Sequence, residues 1–200
     1  MKNQGCSFIK FNSPFSVKIL NPRSVKSLSY EVAENFGDKL DSCSNLADVF
    51  ELVKRSVKRF LSKHRAGLML GLADLGMRRG HFIGAFHPYG SNIIVVNKAP
   101  LKIASQSADK TTFNAYCFHL LLHEYLHSLG YVDEDNVKEL TQEVCMLALG
   151  KAHPATMMAE RGIATYFPKV TYFTEEFPLP EEFQVEIVKD FDRSSAGYIH

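Results

Sequence analysis

Between Asn45 and His64 the apolar positions Leu46, Val49, Phe50, Val53, Val57, Phe60 and Leu61 recur every three or four residues, which predicts an amphipathic helix. Lys54, Arg55, Lys58, Arg59, Lys63 and Arg65 cluster in the same segment and read as its solvated outer face. Three short apolar runs follow, Gly67 to Ala73, His81 to Phe86 and Ile93 to Asn97. Gly80 and Pro88-Tyr89-Gly90-Ser91 punctuate them as turns, so each run predicts a strand. Ile93-Ile94-Val95-Val96 does not alternate, and that strand is expected to be buried on both faces. Ser107 to Thr111 offers several N-cap residues, and a long helix is expected to run on to about Leu129, with Gly130 as its stop. Phe113, Tyr116, Cys117, Leu120, Leu121, Leu122, Leu126 and Leu129 leave that helix little polar face, which makes it central. Asp133-Glu134-Asp135-Asn136 caps a further helix to about Gly150, with Val137, Leu140, Val144 and Leu147 toward the core.

The two ends are less regular. Phe8, Ile9, Phe11, Phe15, Val17 and Ile19 suggest one or two short strands within 7–20, and 24–36 a short helix. Beyond His153-Pro154 the pattern loosens, with strands expected within Thr165–Phe173 and Phe183–Phe191 and a stiff Phe177-Pro178-Leu179-Pro180 link between them. The fold class is therefore α+β, divided into an N-terminal extension (1–44), a core (45–150) and a strand-rich C-terminal extension (151–200).

Composition narrows the setting. The chain has 200 residues, 46% of them hydrophobic and 22% charged, as an ordinary globular core requires. A net charge of +1 provides no global field toward nucleic acid or a membrane surface. Charge is nevertheless uneven, because Glu175, Glu176, Glu181, Glu182, Glu186, Asp190 and Asp192 make the C-terminus acidic. Cys6, Cys43, Cys117 and Cys145 form no CxxC pair, so reduced thiols are expected rather than a disulfide framework or cysteine-rich metal site. No signal-like N-terminus or transmembrane run is evident, and the expected location is cytoplasmic.

The chemistry concentrates in His123-Glu124-Tyr125-Leu126-His127, an HExxH sequence within the central helix. Residues four apart stack on one helix face, so both imidazoles can reach one metal ion, and Glu124 projects beside it. Two histidines and a carboxylate suit Zn2+, although iron(II) sites use the same set; zinc needs about four ligands and in catalytic sites keeps one position for water or substrate. Glu124 would then act as the general base on that water. His119 lies one turn earlier and is expected to pack or hydrogen-bond near the site. His64, His81, His87, His153 and His200 have no spacing that singles them out. Tyr89, Tyr131 and Tyr166 are candidates to polarise a carbonyl.

On this motif and on the order helix, strands, motif helix, residues 45–150 resemble the zincin metallopeptidases. The resemblance implies a peptide or protein substrate, with Ile93–Asn97 as the strand that pairs with it. The third ligand stays open between two patterns. His123 to Asp133 fits HExxHxxGxxD, similar to the metzincins with aspartate where histidine is usual, and Met157-Met158 is the candidate for their Met-turn. Glu143 on the following helix resembles gluzincin usage, and Glu134 is a further option.

Two other readings accompany the peptidase. The histidine pair, Gly130 and Tyr131 also resemble the YbeY-type endoribonucleases, with Glu124 standing where that pattern has glycine and Val132-Asp133 where it has Asp-His. These departures and the near-neutral charge argue against nucleic acid as partner. The third reading is a non-catalytic zincin-fold binding module, or one closed by its acidic tail across the cleft.

Overall fold

The computed structural model describes residues 36–77, 83–171 and 184–194. The strands expected within 7–20, and nearly all of the helix expected over 24–36, lie outside these residues. The described chain is α+β, with helices packed around and beside a small mixed sheet.

A helical segment, α1 (36–42), leads into α2 (Leu46–Leu61). Asn45 caps α2 by accepting the Asp48 backbone N–H at 2.9 Å, and Ser62 in the left-handed region ends it. Val49, Phe50, Leu52, Val53 and Val57 are buried, as their spacing requires. Lys54 departs from the expected solvated stripe. It is buried, ion-paired with Asp192 and with Glu51 at 2.8 Å, because the C-terminal segment covers that part of the helix.

The strands are β1 (Met69–Ala73), β2 (Ala85–Phe86), β3 (Ile93–Asn97) and β4 (Glu186–Ile187), in sheet order β2-β3-β1-β4. β1 and β3 run parallel, with Met69 opposite Ile93, while β2 and β4 are antiparallel at the two edges. β3 thus has neighbours on both sides, and Ile94, Val95, Val96 and Asn97 are buried, as the unbroken apolar run requires. The same position corrects the expectation that Ile93–Asn97 pairs with substrate. Its hydrogen-bonding edges belong to β1 and β2, and β2 is the edge strand on that side.

Helix α3 (Lys98–Ser107), for which the apolar pattern gave no expectation, follows directly and carries Pro100 in its first turn. In the first turn a missing N–H costs nothing, and Asn97 caps the helix through the Ala99 N–H at 3.2 Å. The long central helix is α4 (Lys110–Ser128), capped by Asp109 on the Thr112 N–H at 2.7 Å. It packs against α2, α5 (Glu134–Leu149) and α6 (Pro154–Arg161), and its Tyr116, Phe118, Leu121, Leu122, Tyr125 and Leu126 form the middle of one buried cluster. Each such side chain removes enough apolar surface from water to stabilise the fold by about 1.5–3 kcal/mol.

The segment after Gly150 differs from its reading as loose, strand-bearing chain. His153 caps α6 and Pro154 occupies its first turn, where proline is preorganised for a helix. A 3-10 turn (Ile163–Thr165) and α7 (Pro168–Thr171) stand where a strand was expected. Ala155, Met158, Phe167 and Val170 join the same buried cluster as α4. Only the two residues of β4 realise the strand expected within 183–191. Among the described residues no helix is long and apolar enough to cross a membrane.

Candidate metal centre

The C-terminal end of α4 shapes the site. Gly130 adopts φ +94°, a region that costs a residue with a Cβ, and the chain reverses there. The Gly130 N–H reaches His127 O at 3.0 Å and the Tyr131 N–H reaches Leu126 O at 3.4 Å, closing the helix end. Three residues later Asp133 accepts the Asn136 N–H at 2.8 Å and starts α5. Glu134 is consequently the first residue of α5, brought back over the motif face of α4.

Three ligand atoms converge as a result. His123 Nε2 and His127 Nε2 lie 3.2 Å apart, and Glu134 Oε1 is 3.3 Å from the first and 3.7 Å from the second. One ligand atom from each of the three falls within 4.8 Å of the others, a spacing that could hold a metal ion. The donor chemistry fits as well. A carbonyl oxygen only accepts, so the 2.8 Å contact of His127 Nδ1 with Tyr131 O places the proton on Nδ1 and leaves Nε2 a lone pair toward the cluster. Burial lowers the His123 pKa, against the opposing pull of Glu134, and favours the neutral imidazole that a metal requires.

Asp133 and Glu143 are not brought to this cluster. The Asp133 carboxylate is engaged as the α5 cap, which is the other role its position allowed. Glu143 lies more than two turns along α5, on the exposed face. Of the three carboxylates considered, Glu134 is the one at the cluster, with 58% of its side chain accessible, so the cluster opens to solvent on that side.

Glu124 sits beside the pair and is 6% exposed. Burial, reinforced by the negative charge of Glu134, pushes its carboxyl up to about 7, although the His87 backbone N–H donates to it and pulls the other way. A carboxylate near neutrality in a largely dry setting suits proton transfer. His119, one turn before His123, is half-buried, and among the described residues its enclosed Nδ1 has no hydrogen-bond partner. Burial pushes its pKa down to about 4. Met157-Met158 falls inside α6, with Met158 in the core, and so forms no turn beneath the cluster.

Sequence spacing passed over a second group of residues. Arg65, in the segment between α2 and β1, donates from Nη1 to Ser128 O at 2.6 Å and from Nη2 to Ser91 O at 2.5 Å. Its Nη1 is also 3.5 Å from His87 Nε2, while His87 Nδ1 is 2.9 Å from Ile93 O. The Tyr125 hydroxyl, inside the motif, accepts the Arg65 N–H at 2.8 Å and donates to Arg65 O at 3.3 Å. Lys63 Nζ lies 4.7 Å from the centre of the Tyr131 ring. The sequence grouped Arg65 with the basic stripe after α2 and gave no sign that it reaches the end of α4.

The described part of the acidic tail lies elsewhere. Val188 N donates to Leu70 O at 2.9 Å, Glu186 pairs with Lys98 at 2.6 Å, and Phe191 stacks on Phe50 with ring centres 4.0 Å apart. These contacts hold β4 at the sheet edge opposite β2. No family model, curated protein or solved structure matches this chain.

Proposed function

We propose that this chain is a zinc-dependent metallopeptidase of zincin-like organisation, in which His123, His127 and Glu134 hold the ion and Glu124 is the general base. The observation that carries the reading is the convergence of three ligand atoms within 4.8 Å beside a carboxylate that is 6% exposed. When bound, zinc would supply Lewis acidity, making a water more acidic and polarising a carbonyl oxygen. Glu124 accepts the proton of the attacking water and returns it to the leaving amine. The His87 backbone N–H donates to the Glu124 carboxylate and so holds the base in place beside the histidine pair. Tyr131 O holds His127 in the tautomer a ligand needs.

A peptide substrate would lie along β2, the edge strand, whose following residue His87 contacts Glu124. This moves the pairing role of the zincin pattern from β3 to β2. The buried free thiols of Cys43, Cys117 and Cys145 support a reducing, cytoplasmic setting. The endoribonuclease alternative is weakened by the burial of Lys54, which removes it from the basic stripe.

The test is Glu124→Gln in the zinc-loaded chain against a mixed peptide library. Chelator-sensitive cleavage is expected in the parent and a loss of about 1000-fold or more in the variant, at unchanged zinc content. Full activity in Glu124→Gln, or cleavage of single-stranded RNA instead of peptides, overturns the reading.

A further inference from the structure

Three facts about Arg65 stand together. Its guanidinium joins the last turn of α4, at Ser128 O, to the β2–β3 turn, at Ser91 O. Its main chain brackets the hydroxyl of Tyr125, the residue after Glu124. Its Nη1 faces the ring of His87, whose own backbone N–H holds the Glu124 carboxylate. A guanidinium only donates and a carbonyl only accepts, so Arg65 and Ile93 O together fix His87 as the neutral Nδ1–H tautomer. Neither nitrogen of that ring is free for catalysis.

We propose that Arg65 is a positioning residue for the metal centre: through His87 and the final turn of α4 it sets the placement of the Glu124 carboxylate relative to the His123–His127 pair. Glu124 belongs to α4 like the ligand pair, but its carboxylate is held by the backbone of His87, the residue after β2. The Arg65 guanidinium reaches both the His87 ring and the end of α4. Shape matters more than charge in this role, since Ser128 O, Ser91 O and His87 Nε2 lie in different directions. A planar fork with several N–H groups reaches them together, and a lysine ammonium on a flexible stem does not. The inference rests on the metallopeptidase reading for its consequence in catalysis, while its geometric content stands in the metal-free protein.

The test compares full-length parent, Arg65→Met and Arg65→Lys. Histidine-selective 15N NMR of the metal-free protein reads the His87 tautomer, the visible spectrum of the Co2+-loaded protein reads ligand-field geometry, and peptide cleavage is resolved into kcat and KM. Expected are a pure Nδ1–H His87 in the parent, tautomer exchange in both variants, an altered Co2+ spectrum, and kcat lower by about 100-fold with KM little changed. Arg65→Lys keeps a cation at the helix end and so guards against simple loss of fold, yet it restores neither tautomer nor kcat. A parent that cleaves no peptide while both spectroscopic changes appear defeats the peptidase reading and supports the positioning role. An unchanged His87 tautomer in Arg65→Met, an unchanged Co2+ spectrum, or recovery of kcat in Arg65→Lys overturns it.

Discussion

Glu134 Oε1 lies 3.3 Å from His123 Nε2, across a turn whose geometry depends on Gly130. The relationship links the end of one helix to the start of the next, because Glu134 can reach back only if the chain reverses within Gly130–Asp133. Gly130 sits at φ +94° with open space around the position of a Cβ, so an alanine there is strained by backbone conformation and not by crowding. Gly130→Ala is expected to lower stability by about 1–2 kcal/mol and to weaken zinc binding by about tenfold as Glu134 is displaced. Chemical denaturation and metal competition measure the two effects. Loss of stability with intact zinc affinity would mean that the turn does not set the third ligand.

The C-terminal segment matters to stability through one buried ion pair. Asp192 pairs with Lys54 and also accepts the Leu68 N–H at 3.0 Å, while Lys54 donates to Ser194 Oγ at 2.7 Å. Removing the carboxylate leaves the buried ammonium with Glu51 as its remaining acidic partner. Asp192→Ala is expected to cost about 3 kcal/mol, since the buried ammonium loses one of its two carboxylates and the Leu68 N–H loses its acceptor. Urea unfolding of the variant measures it, and Lys54→Met combined with Asp192→Leu should recover most of the loss. A change below about 1 kcal/mol in Asp192→Ala would show that Glu51 alone compensates Lys54.

His119 predicts a pH dependence of stability. Burial holds its pKa down to about 4, below the ordinary 6.5, so the unfolded chain binds more protons than the folded one between these values. The stabilisation from a neutral His119 is therefore complete above pH 6.5 and is lost as pH falls toward 4. The loss is on the order of 3 kcal/mol. In metal-free protein, the stability difference between parent and His119→Phe should change by that amount across the window. Parallel curves for the two proteins would show that His119 titrates normally.

Sequence periodicity reveals what local physics decides. α4 and α5 carry dense apolar faces between good caps, and the pairing of His123 with His127 follows from helix geometry alone, so all of these are legible. The third member of the cluster is not, because which carboxylate returns to the histidine pair depends on the path of residues 130–133, which periodicity does not fix. With Asp133 capping α5, its neighbour Glu134 is the residue left to face the histidine pair. Helix α6 was hidden because His153-Pro154 reads as the start of irregular chain, yet Pro154 occupies a first turn where its missing N–H is not needed, as Pro100 does in α3. His87 acts on Glu124 through its backbone, and a main-chain donor carries no side-chain signature. Lys54 resembled its solvated neighbours until the distant residue 192 covered it.

The ligand set is the central claim, and zinc titration by calorimetry tests it most directly. The parent is expected to bind one equivalent, with affinity falling about 100-fold or more in Glu134→Gln and His127→Phe, whereas Asp133→Asn and Glu143→Gln shift it by less than about threefold. A site weakened by Asp133→Asn or Glu143→Gln but not by Glu134→Gln, or a parent that binds no zinc, contradicts the account.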